Sequence, residues 1–277
     1  MSARVFVGGQ RVDAMPTDDR GVAYGDGLFE TMRVHAGQVP WWDAHWARLR
    51  HGTRRLRMGV PDEGQVRREA AELFADHADG VLKLLVTRGS GRGYAATDAP
   101  PNWMLSRHPL PMTPSRDGLT LRWCATRLAI QPALAGIKHC NRLEQVLARA
   151  EWNDPATSGR DADEGLMCSS EGDVVCATAT NLFVLRDGRW LTPMVDRCGV
   201  AGICRSQLLP LLEAHEARLS VADVEGANAV FLCNAVRGIL GVARLGERTW
   251  PSHPAVAEVR RLLARTHPGF AIDAEIS

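Results

Sequence analysis

Hydrophobic and polar positions along the chain change period several times, and each change marks an element. Val5 to Val12 alternates around Gly8-Gly9, which predicts a hairpin. Residues 13 to 27 are rich in Asp and Gly and read as a loop. Leu28 to Val34 predicts a strand and Gly37 a turn. Asp43 is placed as the N-cap of a helix running to about Met58, and a second helix covers Glu63 to Ala75. Val81 to Thr87 is a strongly apolar strand that runs into a glycine loop, Arg88 to Tyr94.

Residues 95 to 115 carry Pro100, Pro101, Pro109, Pro111 and Pro114. Such a run favours an extended connector, so two domains are expected, 1–114 and 115–277. Beyond it the pattern predicts a strand over Leu119 to Thr126 and a helix from Asn141 to about Trp152. Three strands follow, at Gly165 to Cys168, Asn181 to Leu185 and Trp190 to Thr192, with Asp187-Gly188 as a hairpin turn. Helices are expected over Ile203 to Ala217, kinked at Pro210, and over Pro254 to Thr266. Strands and helices mix without regular βαβ alternation, which argues for an α+β fold.

Composition narrows the function classes. The chain has 277 residues, 45% of them hydrophobic, enough for a real core. A net charge of +1 gives no electrostatic case for nucleic acid or an anionic membrane as main partner. No apolar run approaches membrane-spanning length, and Met1 to Pro16 has no signal-like stretch. Seven cysteines without a CxxC pair argue against a disulfide framework or a metal site, and a cytoplasmic home is expected.

One count matters more. Of 33 basic residues only Lys83 and Lys138 are lysines. Arginine is always protonated, so any amine chemistry must use one of these two. Alternation puts Lys83 on one face with Val81 and Leu85, and the plain reading is a strand lysine with its head in solvent. Lys138 lies in Gly136-Ile137-Lys138-His139-Cys140-Asn141-Arg142-Leu143-Glu144-Gln145, between a loop and a helix start.

That segment resembles the cofactor-lysine motif of the 4-amino-4-deoxychorismate lyases, which belong with the branched-chain and D-amino-acid aminotransferases of class IV. The resemblance extends through Tyr24-Gly25-Asp26-Gly27-Leu28-Phe29-Glu30, His45-Trp46-Ala47-Arg48-Leu49 and Arg88-Gly89-Ser90-Gly91-Arg92-Gly93-Tyr94. It continues through Asn181-Leu182-Phe183, Gly199-Val200-Ala201-Gly202-Ile203 and Cys233-Asn234-Ala235. It implies a two-domain fold type IV pyridoxal-phosphate enzyme, with a small N-terminal α/β domain and a larger C-terminal barrel-like domain. It also implies a homodimer with its site between domains, acting on a small molecule.

The resemblance assigns Lys138 as Schiff-base partner of pyridoxal phosphate and as general base and acid. In the lyase reaction it removes a proton from the amine-bearing ring carbon, and loss of the enolpyruvyl group as pyruvate leaves an aromatic ring. Gly199 and Gly202 precede a predicted helix, so the amides of Ile203 and Cys204 would face an anion, although glycines alone also mark turns. By resemblance Arg48 and the Asn234-Ala235 backbone meet the same phosphate. The plain reading of Arg48 is a solvated helix face shared with Arg50, Arg54, Arg55 and Arg57. The Arg88 to Tyr94 loop suits a substrate with carboxylates, since arginine binds them in two-toothed fashion. Arg92 and Tyr94 are favoured, with Tyr24, Arg88, Asn141 and Arg142 also placed at substrate.

Cys176 departs from the pattern, because relatives place there a glutamate that pairs with the pyridine nitrogen. Glu171 or Asp173 could reach that nitrogen instead, or Cys176 could be a small core residue. An aminotransferase of the same fold, or a catalytically dead cofactor-binding protein, are the alternative functions.

Overall fold

A computed structural model describes residues 3–95, 98–112, 118–152 and 162–270. The backbone divides into two compact units. One holds Met1–Pro111 and Ile137–Asn141, the other Met112–Gly136 and Arg142–Ser277. The five residues around Lys138 thus belong with the N-terminal unit, although 25 residues of the other unit precede them in the chain. The boundary expected at 114 lies outside the described residues.

The first unit runs β1 (Ala3–Val7), β2 (Gln10–Val12), α1 (Arg20–Tyr24), β3 (Gly27–Val34), α2 (Trp42–Leu56), α3 (Glu63–Leu73), β4 (Gly80–Thr87) and β5 (Asn102–His108). Its antiparallel sheet has the order β2-β1-β5-β4-β3, so β3 is an edge strand. Along β3, Leu28, Glu30, Met32 and Val34 are buried, while Phe29, Thr31 and Arg33 are half-buried. The period of two is the strand's own: neighbours point to opposite faces. Helix α2 packs closely on the buried face, where a Cβ at Gly52 would come within 2.8 Å of Leu28. Phe6 and Trp103 stack at 3.8 Å within the core of this unit.

Three expectations fail here for local reasons. The loop 13–27 contains α1, capped by Asp19, whose carboxylate accepts from the Gly21 and Val22 amides. The N-cap of helix α2 is Trp41 in place of Asp43; it makes no side-chain cap, and Asp43 sits in the first turn. The proline-rich stretch holds β5 in its middle, because residues 102 to 108 are free of proline and pair with β1 and β4.

The second unit runs β6 (Leu119–Trp123), α4 (Leu143–Ala150), β7 (Glu164–Cys168), β8 (Val174–Ala177), β9 (Asn181–Arg186), β10 (Arg189–Pro193), α5 (Ile203–Leu211), β11 (His215–Ala217), α6 (Val221–Glu225), β12 (Ala229–Asn234), β13 (Gly238–Leu245), β14 (Arg248–Thr249) and α7 (Pro254–Thr266). Its mixed sheet has the order β11-β10-β9-β12-β13-β6-β7-β8, with β14 on β13. The β9–β10 hairpin turns at Asp187 (φ 48°) and Gly188 (φ 73°), the pair of positive angles that an Asp-Gly hairpin requires. Helix α5 contains Pro210 but ends at Leu211 instead of continuing to Ala217, and residues 215 to 217 form a strand beside β10. Strands β8, β12 and β13 were not expected from the pattern; β8 and β12 are buried almost throughout and so lack alternation.

Candidate active site

In the first unit, residues 137 to 141 run along the free edge of β3. The Phe29 amide donates to the Lys138 carbonyl at 3.0 Å, and the Cys140 amide to the Gly27 carbonyl at 2.9 Å. These bonds fix Lys138 beside Phe29, and its amine lies 4.4 Å from the centre of the Phe29 ring. An isolated bridge between Leu28 and His139 adds to these bonds, so the backbone of the segment is held where the Lys138 stem leaves it. Asn141 closes the segment by donating from Nδ2 to the Gly25 carbonyl at 3.3 Å. The fit there is tight: a Cβ at Gly25, already at φ 65°, would meet Asn141 Oδ1 at 2.6 Å.

On the opposite face of β3, Glu30 is buried and faces α2. Arg48 donates from Nε to Glu30 Oε1 at 2.8 Å and from Nη2 to Oε2, and His45 Nδ1 meets Oε2 at 2.6 Å. Burial alone would push the Glu30 carboxyl up, but the Arg48 charge and the bonds from His45 and Arg48 outweigh it and hold it at about 2. Burial lowers the His45 imidazole, although Glu30 opposes this, so the ring is neutral near pH 7. Arg48 is therefore no part of a solvated helix face; its side chain is 10% exposed.

The glycine loop after β4 is anchored by a second buried network. Asp19 accepts from Thr87 Oγ1 at 2.6 Å and from Asn102 Nδ2 at 2.8 Å. Asp26 takes Arg20 at 2.9 Å and Arg88 at 2.7 Å. Burial would raise the Asp26 carboxyl, yet the bonds from Arg88 and Arg20 leave it lowered. Arg88 also donates to the Arg57 and Leu56 carbonyls at 2.6 and 2.7 Å. The expectation that Arg88 faces substrate is corrected by these contacts: its guanidinium is enclosed and ties the loop to the end of α2. Arg92 and Tyr94 differ, since both are exposed. The chain's two tyrosines pack together at 5.6 Å, and Tyr24 accepts the Gly93 amide at 2.9 Å.

In the second unit, Gly202 caps α5 and no side chain satisfies the first amides of that helix. A Cβ at Gly202 would lie 2.0 Å from Asn181 Oδ1, so only glycine fits. Asn181 in turn donates from Nδ2 to the Val200 carbonyl at 2.9 Å and fixes the 199–202 turn. The uncapped Ile203 and Cys204 amides form an anion-ready helix start. The Cys204 thiol itself is buried, its ionisation opposed by burial and by a bond with Cys233. Asn234 uses its side chain locally, with Oδ1 accepting the Val236 and Arg237 amides at 3.0 and 2.8 Å. That leaves the Asn234-Ala235 backbone as the feature available to a ligand.

Cys176 on β8 is buried in an apolar cluster with Met167, Val175 and Cys198, and burial pushes its thiol up to about 12. Arg142, half-buried at the N-terminus of α4, acts on it electrostatically. Glu171 pairs with Arg197, at 2.6 Å from its Nη1, and Asp173 lies 4.0 Å from the same arginine. Both acids are thus engaged at the 171–173 turn.

Glu30, Asp26 and Phe29 were absent from the expected site residues. The signal was present in the motif at 24–30, whose alternation separates Glu30 from Phe29, but His45, Arg88 and Lys138, the partners of Glu30, Asp26 and Phe29, lie far along the chain from it. Among the described residues, no group of three metal-binding side chains occurs, and no helix is long and apolar enough to cross a membrane.

Comparison with known proteins places these features in a family. The profile of amino-transferase class IV matches residues 27–245. An aminodeoxychorismate lyase of Vibrio harveyi is 32% identical over 248 residues, covering 86% of this chain and 90% of that protein. The crystal structure of 4-amino-4-deoxychorismate lyase from Pseudomonas aeruginosa superimposes with a TM-score of 0.86 at 42% identity, covering 94% of this chain and 98% of that one. A hypothetical aminotransferase from Mycobacterium tuberculosis in its PLP-bound form shares the fold, with a TM-score of 0.78 at 21% identity, covering 95% and 98%. The chain has the α+β fold type IV architecture and belongs to the class IV aminotransferase family.

Proposed function

We propose that this chain is a pyridoxal-phosphate-dependent 4-amino-4-deoxychorismate lyase, producing 4-aminobenzoate and pyruvate. The observation that carries the reading is Lys138, held by backbone bonds with its amine over Phe29, in a chain with the two lyase relatives above. The residues present fit the cofactor. A primary amine stands on a backbone segment bonded to β3, and the uncapped α5 start at Gly202 has no room for a Cβ, leaving the amides of Ile203 and Cys204 to take a phosphate.

When bound, pyridoxal phosphate supplies an aldehyde that takes up an amine and a ring that withdraws electrons from the adjoining carbon. Lys138 would hold the cofactor through its amine, and as a free amine its Nζ would carry the proton away from the ring carbon that bears the substrate amine. The carbon–oxygen bond to the enolpyruvyl group breaks, the released enol gains a proton and becomes pyruvate, and the six-membered ring becomes aromatic. Arg48, oriented by Glu30, supplies a cation to the phosphate. Arg92 and Tyr94 on the exposed loop, with Tyr24, Asn141 and Arg142, orient the substrate.

Cys176 favours a lyase over an aminotransferase. A neutral thiol is a weak partner for the pyridine nitrogen, and Glu171 and Asp173 are engaged by Arg197. A reaction driven by aromatisation needs less electron withdrawal than amino-group transfer does. We also assign a homodimer: Leu143, Val146 and Leu147 form an apolar stripe on α4 that is 60 to 75% exposed in the single chain. A cytoplasmic location fits seven free cysteines. Borohydride reduction of the cofactor-loaded protein, followed by peptide mapping, tests the cofactor assignment. A stable adduct on Lys138 supports it, and an adduct on Lys83 overturns it.

A further inference from the structure

Helix α7 packs on β12 and β13, and a cleft opens beside its first turns, wholly within the second unit. Val230, Val242 and Val256 give it apolar walls, and the Arg260 guanidinium lines it from α7. A Cβ at Gly241 would come 3.3 Å from Arg260 Nη2 and 3.6 Å from Val256 Cγ1. The missing side chain at Gly241 is therefore what lets the guanidinium lie on the sheet.

Arg260 is half-buried, and burial pulls its guanidinium below the ordinary value with no acid to raise it back. Among the described residues, no hydrogen bond, ion pair or aromatic ring engages it. Other enclosed arginines each hold an acid: Arg20 and Arg88 hold Asp26, Arg48 holds Glu30, and Arg205 holds Glu216. A cation withdrawn from water without a counter-charge is costly, and proteins pair such groups. The remaining polar side chains of the cleft have the same sense. His253 Nδ1 accepts the Ala255 amide at 3.2 Å, so its ring hydrogen is on Nε2 and available to donate. Ser252 adds a hydroxyl, while the Trp250 nitrogen is spent on the Ala227 carbonyl at 2.8 Å. None of the residues lining the cleft is an aspartate or glutamate.

We infer that this cleft binds a small monocarboxylate, with its two oxygens on Arg260 and its short apolar body against Val230, Val242 and Val256. A carboxylate matches the guanidinium fork. One cation balances one negative charge, whereas inorganic phosphate carries more than one at neutral pH and has no apolar part. The site is not the phosphate cradle of α5. Val230 lies near the start of β12 and Asn234 ends it, about 13 Å apart at the usual rise of an extended strand. The inference stands on the second unit alone and does not need the lyase reading.

The test titrates the cofactor-loaded protein with propionate, with its neutral analogue propionamide and with inorganic phosphate, by calorimetry in chloride-free buffer. Wild type and Arg260→Met are compared, because methionine keeps the stem that packs on the sheet and removes only the charge. Propionate affinity should be about ten- to a hundredfold weaker in Arg260→Met, and propionamide should bind neither protein measurably. Without ligand, Arg260→Met should melt at the wild-type temperature or above it, since an unpaired half-buried charge has been removed. Cofactor affinity should be the same in both. Equal propionate affinity in the two proteins overturns the site, as does propionamide binding as tightly as propionate. Phosphate binding more tightly than propionate, with Arg260 required, overturns the monocarboxylate assignment. A lower melting temperature in ligand-free Arg260→Met would show Arg260 to be a structural residue and overturn the inference as well.

Discussion

Glu30 and Arg48 meet through two parallel contacts, Arg48 Nε on Glu30 Oε1 at 2.8 Å and Arg48 Nη2 on Oε2, and His45 shares the second oxygen. The pair fixes the guanidinium in a geometry that a lysine could not reproduce. Arg48→Ala is expected to weaken pyridoxal phosphate binding about ten- to a hundredfold. Removing one member of a buried pair also destabilises, by about 3 to 5 kcal/mol, because Glu30 then lacks its charge partner. Cofactor titration and thermal melting of Arg48→Ala and Glu30→Gln measure both effects. Unchanged cofactor affinity in Arg48→Ala would reject its role.

The same network makes stability depend on pH with a definite sign. The Glu30 carboxyl is held at about 2 in the folded protein against an ordinary value of 4.5. A depressed carboxyl contributes stability that is fully present above about pH 4.5 and lost as pH falls toward 2. His45, lowered below 6.5, adds a loss in the same direction that begins on acidification below that value. Urea melts between pH 7 and 3 should show wild type losing more stability than Glu30→Gln. Parallel losses in the two proteins would contradict the assignment.

Arg88 and Arg92 stand four residues apart and should behave oppositely. Arg88→Ala leaves Asp26 with Arg20 alone and strips the Leu56 and Arg57 carbonyls of a donor, so it should lower the melting temperature. Arg92→Ala should leave melting unchanged and raise KM. Melting curves and initial rates on the two variants decide between a structural and a substrate-facing role for each.

Much of this arrangement is legible in the sequence, and the limits have physical causes. Lys138 stood out because only one other lysine exists, and Pro254 to Thr266 was found because Pro at the first turn and a clean period mark both ends. Strand β5 was hidden by flanking prolines, and α1 by its five-residue length. The enclosure of Arg88 and the approach of Lys83 to Phe29 depend on pairing across 62 and 54 positions, which no local pattern encodes. Lys83 alternates as expected; what sequence could not supply was the aromatic ring on the neighbouring strand.

Among the described glycines of the second unit, Gly202 leaves the least room for a Cβ. With a Cβ only 2.0 Å from Asn181 Oδ1, Gly202→Ala must displace Asn181, break its bond to the Val200 carbonyl and turn the α5 start. Cofactor affinity should fall at least tenfold. Cofactor titration checks this, and wild-type affinity in Gly202→Ala would show that α5 does not hold the phosphate.

Cys176→Glu places a carboxylate in an apolar cluster, which should destabilise the cofactor-free protein by about 3 to 5 kcal/mol. Adding pyridoxal phosphate should recover more stability in this variant than in wild type, and conversion of the cofactor to its amine form by D-alanine should speed up. Equal stabilisation by the cofactor and equal rates with D-alanine would show that Cys176 does not face the pyridine nitrogen.

The most direct measurement is product formation from aminodeoxychorismate by wild type and by Lys138→Ala, each with pyridoxal phosphate present. Wild type should release 4-aminobenzoate and pyruvate in equal amounts, and Lys138→Ala should be slower by about 10²- to 10⁴-fold, the range for loss of a general acid–base group. Lys138→Ala turning over at the wild-type rate, or a cofactor-loaded wild type that forms no 4-aminobenzoate, would contradict the account.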